Sequence, residues 1–227
     1  MVDVWISDCN WLAVRKSCFF GLLSPEERIR SERYLQPRKR ESFVLTRGMM
    51  RSVLSKYLDS PPEDIRFAYG EHGKPELKTI HKGVYFNLTH SGEIAVLAVS
   101  GRSRVGVDVE RMDRDPERLD RIMEFLCPSE EMASYMALSR RDRALSAYYL
   151  WTANEAYLKG VGSGFERLES KVTWYHRKNG DLRISLRKGH DEGAWCFRHF
   201  NPFPGSVATL AMESCDPEFE VNFHYLD

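Results

Sequence analysis

The chain has 227 residues, of which 42% are hydrophobic, 12% aromatic and 29% charged, enough apolar material for a substantial core beneath a solvated surface. Its 33 basic and 33 acidic side chains cancel, which removes the diffuse cationic field of a nucleic-acid or anionic-membrane binder and leaves only locally built anion sites. Five scattered cysteines without a C-x-x-C pair read as reduced thiols, and neither the Met-Val-Asp-Val-Trp start nor apolar runs as short as Ile94 to Val99 suit secretion or a membrane span, so a cytoplasmic protein is expected.

In chain order, Val2 to Ser7 alternates as a strand. Ser24-Pro25-Glu26-Glu27 then has the form of a capped helix start, with a helix to about Leu35. A longer helix is predicted from Arg38 to Leu58 and stopped by Pro61-Pro62. Ile65–Ala68, Val84–Leu88, Ile94–Ser100 and Val105–Val109 read as strands between glycines. Helices are predicted near 117–126 and 129–138 and from Arg141 to Val161, the last ending at Gly162-Ser163-Gly164. Strands return at 171–176, 182–187, 194–199, 206–212 and 219–224. Strand, helices and strands thus occur twice in succession, with a join near residues 100–105, which predicts an α+β duplication with halves at 1–103 and 104–227.

Four stretches carry side chains suited to chemistry. Gly106-Val107-Asp108-Val109-Glu110 sets Asp108 and Glu110 two apart in a strand, so both carboxylates share a face; they suit a hard cation such as magnesium, or simply a solvated acidic edge. Glu155 and Lys159, four apart in Trp151-Thr152-Ala153-Asn154-Glu155-Ala156-Tyr157-Leu158-Lys159, share a helix face, either as a site or as an ordinary ion pair. Asn87-Leu88-Thr89-His90-Ser91-Gly92 gathers hydrogen-bonding groups where a strand ends, fit for phosphate oxygens or for capping their own turn. Gly73-Lys74-Pro75 fixes a lysine on a stiff loop. Arginines and lysines concentrate between residues 24 and 56, most of them on a solvated helical face. No P-loop, G-x-G-x-x-G, H-E-x-x-H or G-x-S-x-G pattern competes.

The order G-K-P, F-N-L-T-H-S-G, G-V-D-V-E, W-T-A-N-E-A-Y-L-K closely resembles the Sfp-type 4'-phosphopantetheinyl transferases, from about Ser24 to Phe165. The resemblance implies two similar α+β halves related by pseudo-twofold symmetry, each a small antiparallel sheet packed with helices, with coenzyme A in a cleft between them. It also implies transfer of the phosphopantetheine arm of coenzyme A to a serine of an apo acyl or peptidyl carrier protein, with magnesium as cofactor and a monomer as the working state. By the same resemblance Asp108, Glu110 and Glu155 hold the magnesium, and Lys74, Thr89 and His90 contact coenzyme A. Arg30 and Arg47 are further phosphate candidates, and Lys159 approaches the pyrophosphate. Glu155, with Glu130 as second choice, takes the serine proton. One departure is Asn154, where the family often has lysine; this leaves the phosphate contacts and carrier preference open. The rival reading is a coenzyme A- or carrier-binding module without turnover.

Overall fold

The computed structural model describes residues 1–70, 73–78, 83–127, 129–162, 172–176, 182–186, 194–214, 216 and 218–226. The chain's contacts divide it into two units, Met1–Arg102 with Glu220–Asp227, and Ser103–Phe219.

The first unit is organised by β1 (Val2–Asp8), whose alternate residues Val2, Val4 and Ile6 are buried. β5 (Ile94–Ser100), buried along its whole length, pairs antiparallel with β1 and with β4 (Tyr85–Ser91). β11 (Val221–Leu226) completes the sheet, in the order β11-β1-β5-β4. β11 runs parallel to β1, from Val2↔Val221 to Ser7↔Leu226. Here the structure departs from the sequence reading, which set the last strand in the second half and expected antiparallel sheets only. The Asp3 carboxylate fixes the return, accepting from Asn222 Nδ2 at 3.0 Å and from the Tyr57 hydroxyl at 2.7 Å.

Two short helices, α1 (Cys9–Leu12) and α2 (Lys16–Leu22), were not anticipated. Their stretch has no clean apolar period, since Leu12 and Phe19 are buried while Val14 is 88% exposed. Tertiary packing selects them: a Cβ on Gly48 would stand 2.2 Å from Phe19 Cβ, so only glycine allows α2 this close to the next long helix. α3 (Pro25–Glu32) begins with the capping box expected from Ser24 and Glu27. α4 (Pro37–Leu58) buries Met49, Met50, Val53 and Leu54 and ends at Asp59, whose φ is +46°. Buried Arg51 ties α4 to its neighbours, donating to Glu27 Oε2 at 2.7 Å and to the carbonyls of Pro62 and Ile65 at 2.7 and 2.9 Å. A hairpin of β2 (Phe67–Tyr69) and β3 (Pro75–Leu77) follows.

The second unit contains β6 (Val105–Arg111), α5 (Pro116–Leu126), α6 (Ser129–Met136), α7 (Arg140–Val161), β7 (Val172–His176), β8 (Leu182–Leu186), β9 (Trp195–Phe200) and β10 (Ser206–Glu213). Its antiparallel three-stranded sheet has the order β6-β10-β9, and β7 and β8 form a separate hairpin. α7 is capped by Ser139, whose hydroxyl accepts from the Asp142 backbone N–H, and ends at Gly162 with φ +85°. Leu150 and Ala153 of α7 share a core with Leu119, Met123 and Tyr135. Helix and strand meet backbone to backbone. A Cβ on Gly106 would lie 1.9 Å from the Ala156 carbonyl oxygen and 2.5 Å from the Gly160 nitrogen, both in α7.

Candidate active site

Gly106 decides what its neighbours can do. Gly106, Asp108 and Glu110 alternate along β6 and face α7, so the close approach at Gly106 brings helical side chains onto both carboxylates. Lys159 Nζ donates to Asp108 Oδ1 at 2.5 Å, where Asp108 is buried. The Trp151 indole N–H donates to Glu110 Oε1 at 3.2 Å. Arg114, beyond the strand, donates to the same oxygen at 2.6 Å and lies over the Trp151 ring at 5.9 Å.

Glu155 completes the group. Burial, then the negative charge of Asp108, pushes its carboxyl up to about 7; Lys159 opposes the shift and Glu110 adds to it. Three carboxylates of two elements therefore act on one another's charge. Among the described residues, no three His, Cys, Asp or Glu side chains converge closely enough to hold a metal ion as they stand. Lys159 and Arg114 hold the oxygens of Asp108 and Glu110. The donor set itself suits a hard divalent ion, because all its donors are carboxylate oxygens and Glu155 lacks sufficient neighbouring positive charge to ionise at its ordinary pKa.

The first unit holds a different kind of site. A cavity of about 760 Å³ is lined by Arg30, Lys39, Arg47, Thr89 and His90 among others. Arg30 and Arg47 lie over the same two rings, Phe43 at 5.5 and 5.6 Å and Tyr69 at 5.9 and 5.8 Å. Neither makes an ion pair with a described residue. Burial pushes the Arg47 guanidinium below its usual pKa, and Arg30 adds to that. Glu27 acts on Arg47 from a distance and Glu41 and Glu93 also line the cavity, yet neither guanidinium is paired in an ion pair with a described carboxylate, which suits the two of them to an external anion.

The structure thus groups Arg30, Arg47, Thr89 and His90 around one cavity, and Asp108, Glu110, Glu155 and Lys159 at one strand–helix contact. Lys74 lies on the turn before β3, its carbonyl accepting from the Gly70 N–H at 3.0 Å, and is not among the residues that line the cavity. Glu130 belongs to α6, but its side chain lies outside the described residues. Asn154 is buried, donating to the Leu150 carbonyl at 2.9 Å and accepting from the Val172 N–H at 3.3 Å. It ties β7 to α7. Arg114 was missed by the sequence reading; its only sequence signal is a place four residues beyond Glu110.

A carboxylate cluster with a lysine, and a cavity with two guanidinium groups, have the chemistry of sites for a cation and for an anion. The profile of the 4'-phosphopantetheinyl transferase superfamily matches residues 104–212, and that of the 4'-phosphopantetheinyl transferase N-terminal region matches 10–102. The Synechocystis sp. protein slr0495 is 37% identical over 63% of this chain and 58% of its own length. The 4'-phosphopantetheinyl transferase HetI of Nostoc sp. is 33% identical over 84% of this chain and 78% of its own. For the 4'-phosphopantetheinyl transferase Sfp of Bacillus subtilis the values are 26%, 76% and 75%. The chain belongs to the 4'-phosphopantetheinyl transferase superfamily.

Proposed function

We propose that this chain transfers the 4'-phosphopantetheine arm of coenzyme A to a serine of an apo acyl or peptidyl carrier protein and releases 3',5'-ADP. Family membership supports the activity, and the observation that carries the site is Glu155. Without an ion its carboxyl is raised to about 7 by burial and by Asp108 beside it, so a cation at this cluster would favour the ionised form that can hold metal and accept a proton. The serine oxygen forms a bond to the β-phosphorus of coenzyme A, the bond from that phosphorus to the 3',5'-ADP oxygen breaks, and the serine proton passes to Glu155.

Asp108, Glu110 and Glu155 would hold a magnesium ion, which when bound supplies positive charge to the diphosphate and to the departing nucleotide. Lys159 and Arg114, which hold the Asp108 and Glu110 oxygens, are then available to phosphate oxygens. Thr89, His90, Arg30 and Arg47 bind the phosphates of coenzyme A, with Lys74 as a further contact. The first unit accordingly serves coenzyme A and the second the metal. We propose that the protein works as a cytoplasmic monomer; Cys9 and Cys18 are free thiols, in keeping with a reducing compartment.

The test is incubation with coenzyme A, magnesium and apo carrier proteins, read by intact mass. A gain of one phosphopantetheine per carrier is expected, and Asp108→Asn or Glu155→Gln should abolish it without unfolding the protein. Tight coenzyme A binding with every carrier left unmodified would refute the transferase and leave a binding module.

A further inference from the structure

His199, Thr209 and Asp108 form one row across the sheet of the second unit. His199 on β9 is paired with Thr209 on β10, and Thr209 with Asp108 on β6. Residues directly opposed on antiparallel strands project from the same face, and this face carries α7. Thr152 of α7 meets the row, its Oγ1 lying 2.6 Å from Thr209 Oγ1. His199 Nδ1 lies 2.7 Å from that Thr209 oxygen, and its ring stacks on Tyr149 of α7 with centroids 4.2 Å apart.

Counting protons fixes the direction of this chain. Thr152 has one hydroxyl proton and directs it to the Tyr148 carbonyl at 2.9 Å. Thr209 must then donate to Thr152, which uses the Thr209 proton, so His199 must donate from Nδ1. The reverse order would put the imidazole proton on Nε2. That atom is shut off from solvent and has no hydrogen-bond partner among the described residues. An enclosed N–H without an acceptor costs more than an idle lone pair. Enclosure also drives the ring's pKa down to about 3, which keeps it neutral.

We propose that His199 is a positioning residue for the transfer reaction: as the Nδ1–H tautomer it donates to Thr209, Thr209 donates to Thr152, and this chain fixes the turn of α7 before Glu155 against β10, the strand paired with β6 and its Asp108. Glu155 follows Thr152 by three residues and shares its side of the helix. The inference rests on the transferase reading above only for its consequence in catalysis; the hydrogen-bond order stands independently.

Two measurements test it. Nitrogen-15 NMR of histidine-labelled protein should show a protonated Nδ1 and an unprotonated Nε2 for His199, constant from about pH 5.5 to 8. A protonated Nε2 overturns the proposal whatever the activity. His199→Phe keeps a ring against Tyr149 but removes the donor, and kcat should fall about tenfold, the worth of one buried hydrogen bond, with KM for coenzyme A little changed. His199→Asn, whose amide N–H can stand in the place of Nδ1–H, should recover most of that loss. Thr209→Val should match the Phe variant, and the pair combined should be no worse than either alone. A Phe variant with wild-type kcat, or an Asn variant no better than Phe, refutes the chain's role. Should the Phe variant not fold, the tautomer and the Asn and Thr209 variants decide. A wild-type protein that modifies no carrier would sink the transferase reading, and the NMR result would still decide the hydrogen-bond order.

Discussion

Adding one methyl group at Gly106 is expected to disable the site without touching any polar side chain. The new Cβ would lie 1.9 Å from the Ala156 carbonyl oxygen, against an ordinary contact of 3.4 Å or more, so helix and strand must part by about 1.5 Å. Both obstructing groups are backbone, and no rotamer change relieves them. Overpacking of this kind costs roughly 1–3 kcal/mol, or about 3–10 °C in Tm for a chain of this size. The same displacement stretches the 2.5 Å contact of Lys159 with Asp108 beyond hydrogen-bonding reach and carries Glu155 away with it. Misplacing reacting groups by about 1 Å costs on the order of 100-fold in rate. Gly106→Ala should therefore lower carrier modification about 100-fold by mass spectrometry and lower the midpoint of thermal unfolding by circular dichroism. Gly21→Ala in α2, where nothing lies within 4 Å of the added carbon, is the control and should match wild type in both assays. A Gly106→Ala protein within twofold of wild-type rate at unchanged Tm would refute the claim that this contact sets the site.

Arg51→Met should leave the Glu27 carboxylate buried and unpaired, at a cost of about 3–5 kcal/mol in urea unfolding, whereas adding Glu27→Leu should recover much of the loss; a single variant of wild-type stability would show the pair to be dispensable. Glu155 gives a pH signature in protein stripped of divalent ions. Its folded pKa, about 7, exceeds its ordinary 4.5, so the folded state binds more protons and stability falls as pH rises through that window. Glu155→Gln should flatten that fall, being more stable than wild type at pH 8 and equal to it at pH 4, and saturating magnesium should restore wild type at pH 8. Parallel pH curves for the two proteins would show that Glu155 ionises as an ordinary carboxyl.

Much of the local structure is legible without coordinates because its causes are local. The Ser24–Glu27 capping box, the stop at Pro61-Pro62 and the Gly162 cap each lie within a few residues of the helix end they define. The two-residue spacing of Asp108 and Glu110 sets their shared face, and the four-residue spacing of Glu155 and Lys159 sets theirs. The motifs also point to the superfamily. α1 and α2 were not legible, since their stretch lacks a clean apolar period and α2 packs through Phe19 onto Gly48, nearly thirty positions away.

Sequence by itself named the candidates, the carboxylates of Asp108, Glu110 and Glu155, the amine of Lys159 and the guanidinium groups of Arg30 and Arg47, with the elements that carry them, though not Arg114. Only the tertiary structure decided their company. It set Lys159 against Asp108 on another element while leaving it within electrostatic reach of Glu155, gave Glu110 to Arg114 and Trp151, turned Asn154 inward to hold β7, and returned the last strand to the first. It also aligned His199 with Thr209 and Asp108, three residues that no local pattern connects. Spacing along a chain fixes direction within one helix or strand, whereas partners across elements follow from backbone approach. Here that approach is set by the absence of a single Cβ at Gly106.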